Sequence, residues 1–285
     1  MGMTKHLLSI GHGFTAREFG NFVRKLGWQV SGTTRSKAKL DGIGTLGVDP
    51  LLWPGSDLSA AIADATHILI SASPDQSGDH FLNEYIGALK DSSKLEWVGY
   101  LSTTGVYGDH NGAWVDEDTP VVPSTKRGKL RADAEQAWLE SGLPVHVFRL
   151  AGIYGAGRGP FAKLRNGTAR LIRKPGQVFG RIHVEDIAQG LYASIQSPNP
   201  GRIYNLSDDE PAAPEDILGY AAELLGMELP PEEEFESAEM TPMARSFYSE
   251  CKRVRNDRMK TELGVTLKYP GYKEALDAIH KAEVS

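Results

Sequence analysis

Six residues near the start of the chain have the types and spacing to hold a pyrophosphate: Gly11, His12, Gly13, Phe14, Thr15 and Ala16. The two glycines allow a tight turn and a close approach by phosphate oxygens. The small Ala16 lets a following helix pack on the preceding strand. The start of that helix adds N–H groups and the positive end of a dipole. The plainer reading is an ordinary glycine-rich turn between strand and helix. The turn stands between an apolar run and an amphipathic one, which points to phosphate chemistry. About 20 residues further on, NAD-binding proteins place an acid that takes the ribose 2′-hydroxyl. Here the segment reads Thr34, Arg35, Ser36, and no acid appears before Asp41. Arg35 is a fixed cation with a planar fork suited to a 2′-phosphate, and Thr34 and Ser36 add hydroxyls. The expected cofactor is therefore NADP rather than NAD. The other reading of Arg35 is a solvated loop arginine.

The elements that must position these residues are legible from hydropathy. Apolar runs at His6–Ile10, Trp28–Thr33, Thr66–Ser71, Trp97–Ser102, Val145–Leu150 and Ile203–Leu206 read as strands, with a weak one at Gly47–Asp49. Helices are predicted over Thr15–Leu26, with Ala16, Phe19, Val23 and Leu26 on one face, and over Leu58–Ala63, Phe81–Leu89 and Gly128–Ser141. Later helices are predicted over Val184–Ile195, Glu215–Leu225 and Arg253–Leu263. Glu232–Glu236 reads as a solvated acidic linker. Strands alternating with helices predict an α/β fold, a Rossmann-type doubly wound parallel sheet with a smaller C-terminal substrate lobe. The expected core is 1–153, completed by roughly 178–207, with 154–177 and 208–285 forming the lobe.

Composition narrows the partners. The chain has 285 residues and a formal net charge of −6, so it has no basic excess to neutralise nucleic-acid phosphates. Its single cysteine, Cys251, cannot form an internal disulfide, and no leader is visible ahead of the first strand. No apolar stretch approaches the ~20 residues of a membrane span. The expectation is a cytoplasmic protein acting on a small molecule, without nucleic acid, membrane or metal.

The glycine turn is followed by Ser102-Thr103-Thr104-Gly105-Val106-Tyr107-Gly108, then Arg149-Leu150-Ala151-Gly152-Ile153-Tyr154-Gly155. Next come Arg181-Ile182-His183-Val184-Glu185-Asp186, and later Tyr204-Asn205-Leu206. In order and spacing this resembles the extended short-chain dehydrogenase/reductases, also called NAD-dependent epimerase/dehydratases, over nearly the whole chain. The resemblance implies nicotinamide near Thr103 and near the Leu150–Ile153 loop with Ala151. It implies that Ser71, Ala72 and Ser73 line the cofactor, that Ser102 adjoins it, and that the protein pairs into a homodimer. Tyr107 also reads as a packed turn aromatic. His183 reads as a capping or core histidine, since no partner stands at metal-ligand spacing.

The resemblance breaks where the family keeps its chemistry. Its Ser/Thr position falls on Thr103. Its Tyr and Lys, four residues apart, fall on Arg127 and Arg131, which marks an atypical branch. Arginine stays protonated and cannot act as a general base near pH 7. It can clamp an anion or stabilise an oxyanion. At i and i+4 the two arginines share a helix face, which points either to one cleft or to a solvated basic surface. Three functions follow. One is an NADP-dependent reductase or epimerase-like oxidoreductase, acting on an anionic or nucleotide-linked molecule, with Thr103, Tyr107 or water handling the proton. The second is a non-catalytic NADP(H) sensor. The third, an epimerase proper (an isomerase), suffers most from the missing Tyr.

Overall fold

The structure, a computed structural model, describes residues 4–284, so the start of the chain read as leaderless, Met1 to Met3, lies outside the described residues. Seven strands form the central sheet: β1 (His6–Ile10), β2 (Gln29–Thr34), β3 (Asp49–Leu52), β4 (His67–Ile70), β5 (Trp97–Thr103), β6 (Val145–Leu150) and β7 (Ile203–Leu206). Their order is β7-β6-β5-β4-β1-β2-β3. β1 pairs in parallel with β2 and with β4, and β2 with β3 and β4 with β5 likewise. The chain runs outward from β1 to β3, then returns to β4 on the other side of β1. That reversal is a topological switch point, where open α/β sheets hold ligands beyond the carboxyl ends of their strands. The strands read as unbroken apolar runs because both faces are covered: Leu7, Leu8, Ile10, Ile68, Leu69 and Ile70 are all fully buried.

Helix α1 (Phe14–Lys25) follows β1 and turns Ala16, Phe19 and Val23 into the core. Full burial of a side chain such as Phe19 contributes about 1.5–3 kcal/mol. Leu26, expected on the same face, is 49% exposed because the helix ends one residue earlier and Gly27, at φ +85°, reverses the chain. Further helices in this part of the chain are α2 (Leu40–Gly44), α3 (Ser59–Asp64), α4 (His80–Asp91) and α5 (Lys126–Leu139).

Three expected elements differ. The weak third strand lies at Asp49–Leu52 and not at Gly47–Asp49. Gly47, at φ +69°, still belongs to the turn that closes α2. Pro50 is tolerated in that strand because β3 is at the sheet edge. The helix expected over Arg253–Leu263 begins only at Asp257. Arg253–Val254 instead pairs in parallel with Trp114–Val115, burying Val254. The acidic stretch is a short strand and not a linker, although its glutamates stay largely solvated: Glu232–Glu234 pairs with Leu171–Arg173, and Glu232 meets Arg173 at 2.7 Å. Such exposed ion pairs contribute about 1 kcal/mol at most, so the strand pairing matters more than the charges.

The chain divides into two compact units. The first runs to Thr103 and includes Lys129–Arg149 and Ile187–Tyr204. The second holds Thr104–Gly128, Leu150–Asp186 and the chain from Asn205 onward. The second unit has its own core, with Tyr154, Phe161, Leu164, Leu218, Tyr272 and Leu276 among its buried side chains. Among the described residues, no helix is long and apolar enough to cross a membrane.

Candidate functional site

In the first unit the glycine turn is fixed from β2. Thr33 accepts the Gly11 N–H on Oγ1 and the His12 N–H on its carbonyl, both at 2.8 Å. Gly11 sits at φ +82°, and a Cβ there would stand 3.0 Å from the Ala72 nitrogen. The loops after β1 and β4 therefore meet at the switch point, and Ser71 and Ala72 both donate to the Ile10 carbonyl. Gly13 is exposed and caps α1 with no side-chain hydrogen bond of its own. Phe14 is half-buried, while Thr15 and Ala16 are buried behind the turn.

His12 was not anticipated as part of this geometry. Its ring is buried in a slot that two glycines keep open: a Cβ on Gly32 would lie 2.6 Å from the His12 ring, and one on Gly20 3.1 Å. Nδ1 meets Ser9 Oγ at 3.1 Å, and burial lowers the imidazole pKa to about 4. The ring is neutral at pH 7 and wedges the turn in place. The signal was present in the sequence as glycines in α1 and β2, elements that ordinarily exclude them.

At the end of β2, Arg35 is exposed and its side chain makes no hydrogen bond or ion pair among the described residues. Thr34 Oγ1 accepts the Ser36 N–H at 3.2 Å, which orients the segment. Ser73, exposed after β4, accepts a hydrogen bond from Arg131 Nη2 at 2.9 Å. Arg131 Nη1 donates to the Leu101 carbonyl at 2.7 Å and approaches the Tyr100 hydroxyl at 3.4 Å, with the guanidinium over the Tyr100 ring. Arg131 therefore stands two residues from Thr103, which is half-buried.

One turn along α5, Glu135 takes the Ser102 hydroxyl and pairs with Arg149 at 2.8 Å, both charges buried. Ser102 is thus directed inward, beneath the site. This pair was missed, although an arginine inside the apolar run of β6 demands a carboxylate. Arg131 and Glu135 together grip the last residues of β5 from one helix face.

The second unit holds the remaining expected residues. Tyr107 is fully buried and donates to Asn205 Oδ1 at 2.7 Å, so it is the packed turn aromatic and its proton is committed inside the fold. That geometry counts against its use as a proton donor. Arg127 is exposed, with its guanidinium 4.9 Å from the Phe247 ring centroid. The two arginines thus engage different partners. Gly128, beside Arg127, approaches the turn Thr104–Tyr107 so closely that a Cβ would lie 2.7 Å from the Gly105 carbonyl. Ala151 is buried and donates its N–H to the Leu206 carbonyl. His183 is a core residue: Nδ1 accepts the Glu185 N–H, and Tyr269 packs against the ring at 4.2 Å.

Asp208 is the strongest electrostatic anomaly. It is 1% exposed, and among the described residues no side chain hydrogen-bonds to either carboxylate oxygen. Burial pushes its pKa up to about 8, against the pull of Arg181. The folded value thus exceeds the unfolded one, so the folded state binds the extra proton. Stability should fall as pH rises from about 4 through about 8, at most by about 1.4 kcal/mol per pH unit. Asp208→Asn should remove this slope. Urea midpoints at a series of pH values check it, and parallel curves for the two proteins would rule it out.

No family model matches the chain. The Escherichia coli protein YeeZ is 30% identical over 284 residues, covering 93% of this chain and 97% of its own. A functionally unknown conserved protein from Silicibacter pomeroyi is 54% identical with a TM-score of 0.93, covering 98% of this chain and 99% of its own. A human epimerase family protein, solved with NADPH, shares 18% identity at a TM-score of 0.76, covering 97% and 99%. A likeness of that last kind carries the fold and not the choice of cofactor.

Proposed function

The chain belongs to the family of the Escherichia coli protein YeeZ, built on the fold of the extended short-chain dehydrogenase/reductases, and from that premise we propose that it binds NADP(H) and acts as a reductase-type oxidoreductase on a small molecule that is anionic or becomes so on reduction. The observation that carries the reading is the unpartnered cation of Arg35 at the end of β2, beside a glycine turn that leaves no room for a Cβ. Gly11, Gly13 and the start of α1 would take the pyrophosphate. Arg35, with the Thr34 and Ser36 hydroxyls, would take the 2′-phosphate. Ser71, Ala72 and Ser73 would line the dinucleotide. When bound, the nucleotide supplies hydride. The chain supplies orientation and positive charge, with Arg131 two residues from Thr103.

A reductase is favoured over an epimerase because reversible proton abstraction needs a base, and arginine does not supply one. A second reading, a non-catalytic NADP(H) sensor, draws on Arg127, which occupies the family's Tyr position and stacks on Phe247. Tight NADPH binding without turnover of any carbonyl or nucleotide-sugar substrate would select it.

Arg35→Ala should weaken NADPH about 10- to 100-fold, the scale of a lost charge-assisted contact, and leave NADH nearly unchanged. Titration of both nucleotides against both proteins checks this. Equal changes for the two nucleotides would count against the assignment.

A further inference from the structure

The proton inventory around Arg131 points to a class of acceptor. Arg131 carries five N–H donors. Among the described residues Leu101, Tyr100 and Ser73 occupy three, leaving Nε–H and one N–H of Nη2 on a half-buried guanidinium. A fixed positive charge with two N–H groups to offer is an oxyanion site. Five groups that could deliver a proton are committed elsewhere. Tyr100, under the guanidinium, is fully buried, and burial pushes its phenol further from ionisation. Ser102 points to Glu135, and Glu135 to Arg149. His80, the first residue of α4, is bound to Asp75 at 2.7 Å. In the second unit, Tyr107 is spent on Asn205.

Resting on the reductase reading above, we propose that Arg131 stabilises the oxyanion of acceptors whose reduced form is a resonance-stabilised anion, quinones and related conjugated carbonyls, in preference to simple ketones. An acceptor that gains hydride at one end of its conjugated system moves an electron pair onto oxygen. The hydride supplies both electrons, its donor is oxidised, and one further proton completes the product. For a simple ketone the oxygen becomes an alkoxide, far too basic to form without a proton donor. For a quinone it becomes a phenolate-type oxygen, whose parent acid ionises near pH 10 in water. Arg131 lowers that further by charge, and water supplies the proton afterwards.

The test uses 4-nitrophenol, whose anion absorbs visible light, as a mimic of the reduced product. NADPH and NADP⁺ titrations come first and test the cofactor reading separately. With NADP⁺ bound, wild-type protein should bind the nitrophenolate form preferentially, lowering the apparent pKa of the dye by one unit or more. Arg131→Met, compared at saturating NADP⁺, should abolish that shift, and Arg131→Lys should restore part of it. In turnover, p-quinones should exceed simple ketones by at least a hundredfold. If NADP⁺ binds but the dye titrates as in free solution, the inference fails and the cofactor reading stands. Ketone reduction as fast as quinone reduction would also overturn it. If no nucleotide binds, the cofactor reading has failed, and the oxyanion assignment falls with it.

Discussion

Gly11→Ala should cost the protein more than a hundredfold in nicotinamide-dinucleotide affinity while leaving it folded. Two penalties combine at this residue. The backbone sits at φ +82°, where an L side chain costs about 1–2 kcal/mol. The added Cβ would also stand 3.0 Å from the Ala72 nitrogen and 3.3 Å from the Ser71 carbonyl carbon. Those are main-chain atoms and cannot rotate away, so the loops after β1 and β4 must separate. The Gly11 N–H would then lose its place against Thr33, and the phosphate-binding surface would lose its shape. The stability lost should remain a fraction of the roughly 5–15 kcal/mol typical of folded proteins. Gly157→Ala is the matched control: its φ is +71°, but nothing lies within 4 Å of a Cβ. It should lower the melting temperature without touching nucleotide affinity. Gly11→Ala protein that binds NADPH within threefold of wild type would refute the geometry proposed for the turn.

The second large effect is on stability. Glu135→Ala should destabilise the fold by about 3–5 kcal/mol, because it strands a buried guanidinium without its counter-charge. Arg149 reaches Glu135 through Nε at 3.1 Å and Nη2 at 2.8 Å, and both side chains are buried. The same change frees the Ser102 hydroxyl at the end of β5. The melting temperature should fall by on the order of 10 °C. Replacing both partners, Glu135→Met with Arg149→Met, should recover much of that loss, since paired removal leaves no buried charge. A single-variant cost below about 1 kcal/mol would show that the pair is not supporting the site.

The strands and the glycine turn were legible because a long periodic signal and a motif agreed at the same residues. The Rossmann order follows from them, including the switch point that brings Ala72 against Gly11. What escaped has physical causes. Two- and three-residue strands such as Trp114–Val115 and Glu232–Glu234 carry no measurable period, so Arg253 and Val254 were assigned to a helix. The Pro242–Tyr248 helix buries none of its residues and leaves no amphipathic trace. Side-chain commitments were harder still. Spacing placed Tyr107 beside the chemistry, but only the fold shows its hydroxyl on Asn205. Spacing also placed Arg127 and Arg131 on one face, whereas packing gives the first to Phe247 and the second to Leu101 and Ser73. His12 and Glu135 were visible as types in unusual surroundings, one between glycines and one facing an arginine in an apolar strand.

The turn at Gly11–Ala16 and the cation at Arg35 are proposed together as an NADP(H) site. Calorimetric titration of the wild-type protein with NADPH and NADH at moderate ionic strength tests it most directly. One NADPH per chain should bind, at least tenfold more tightly than NADH. Tighter binding of NADH, or no heat from either nucleotide at millimolar concentration, would contradict it.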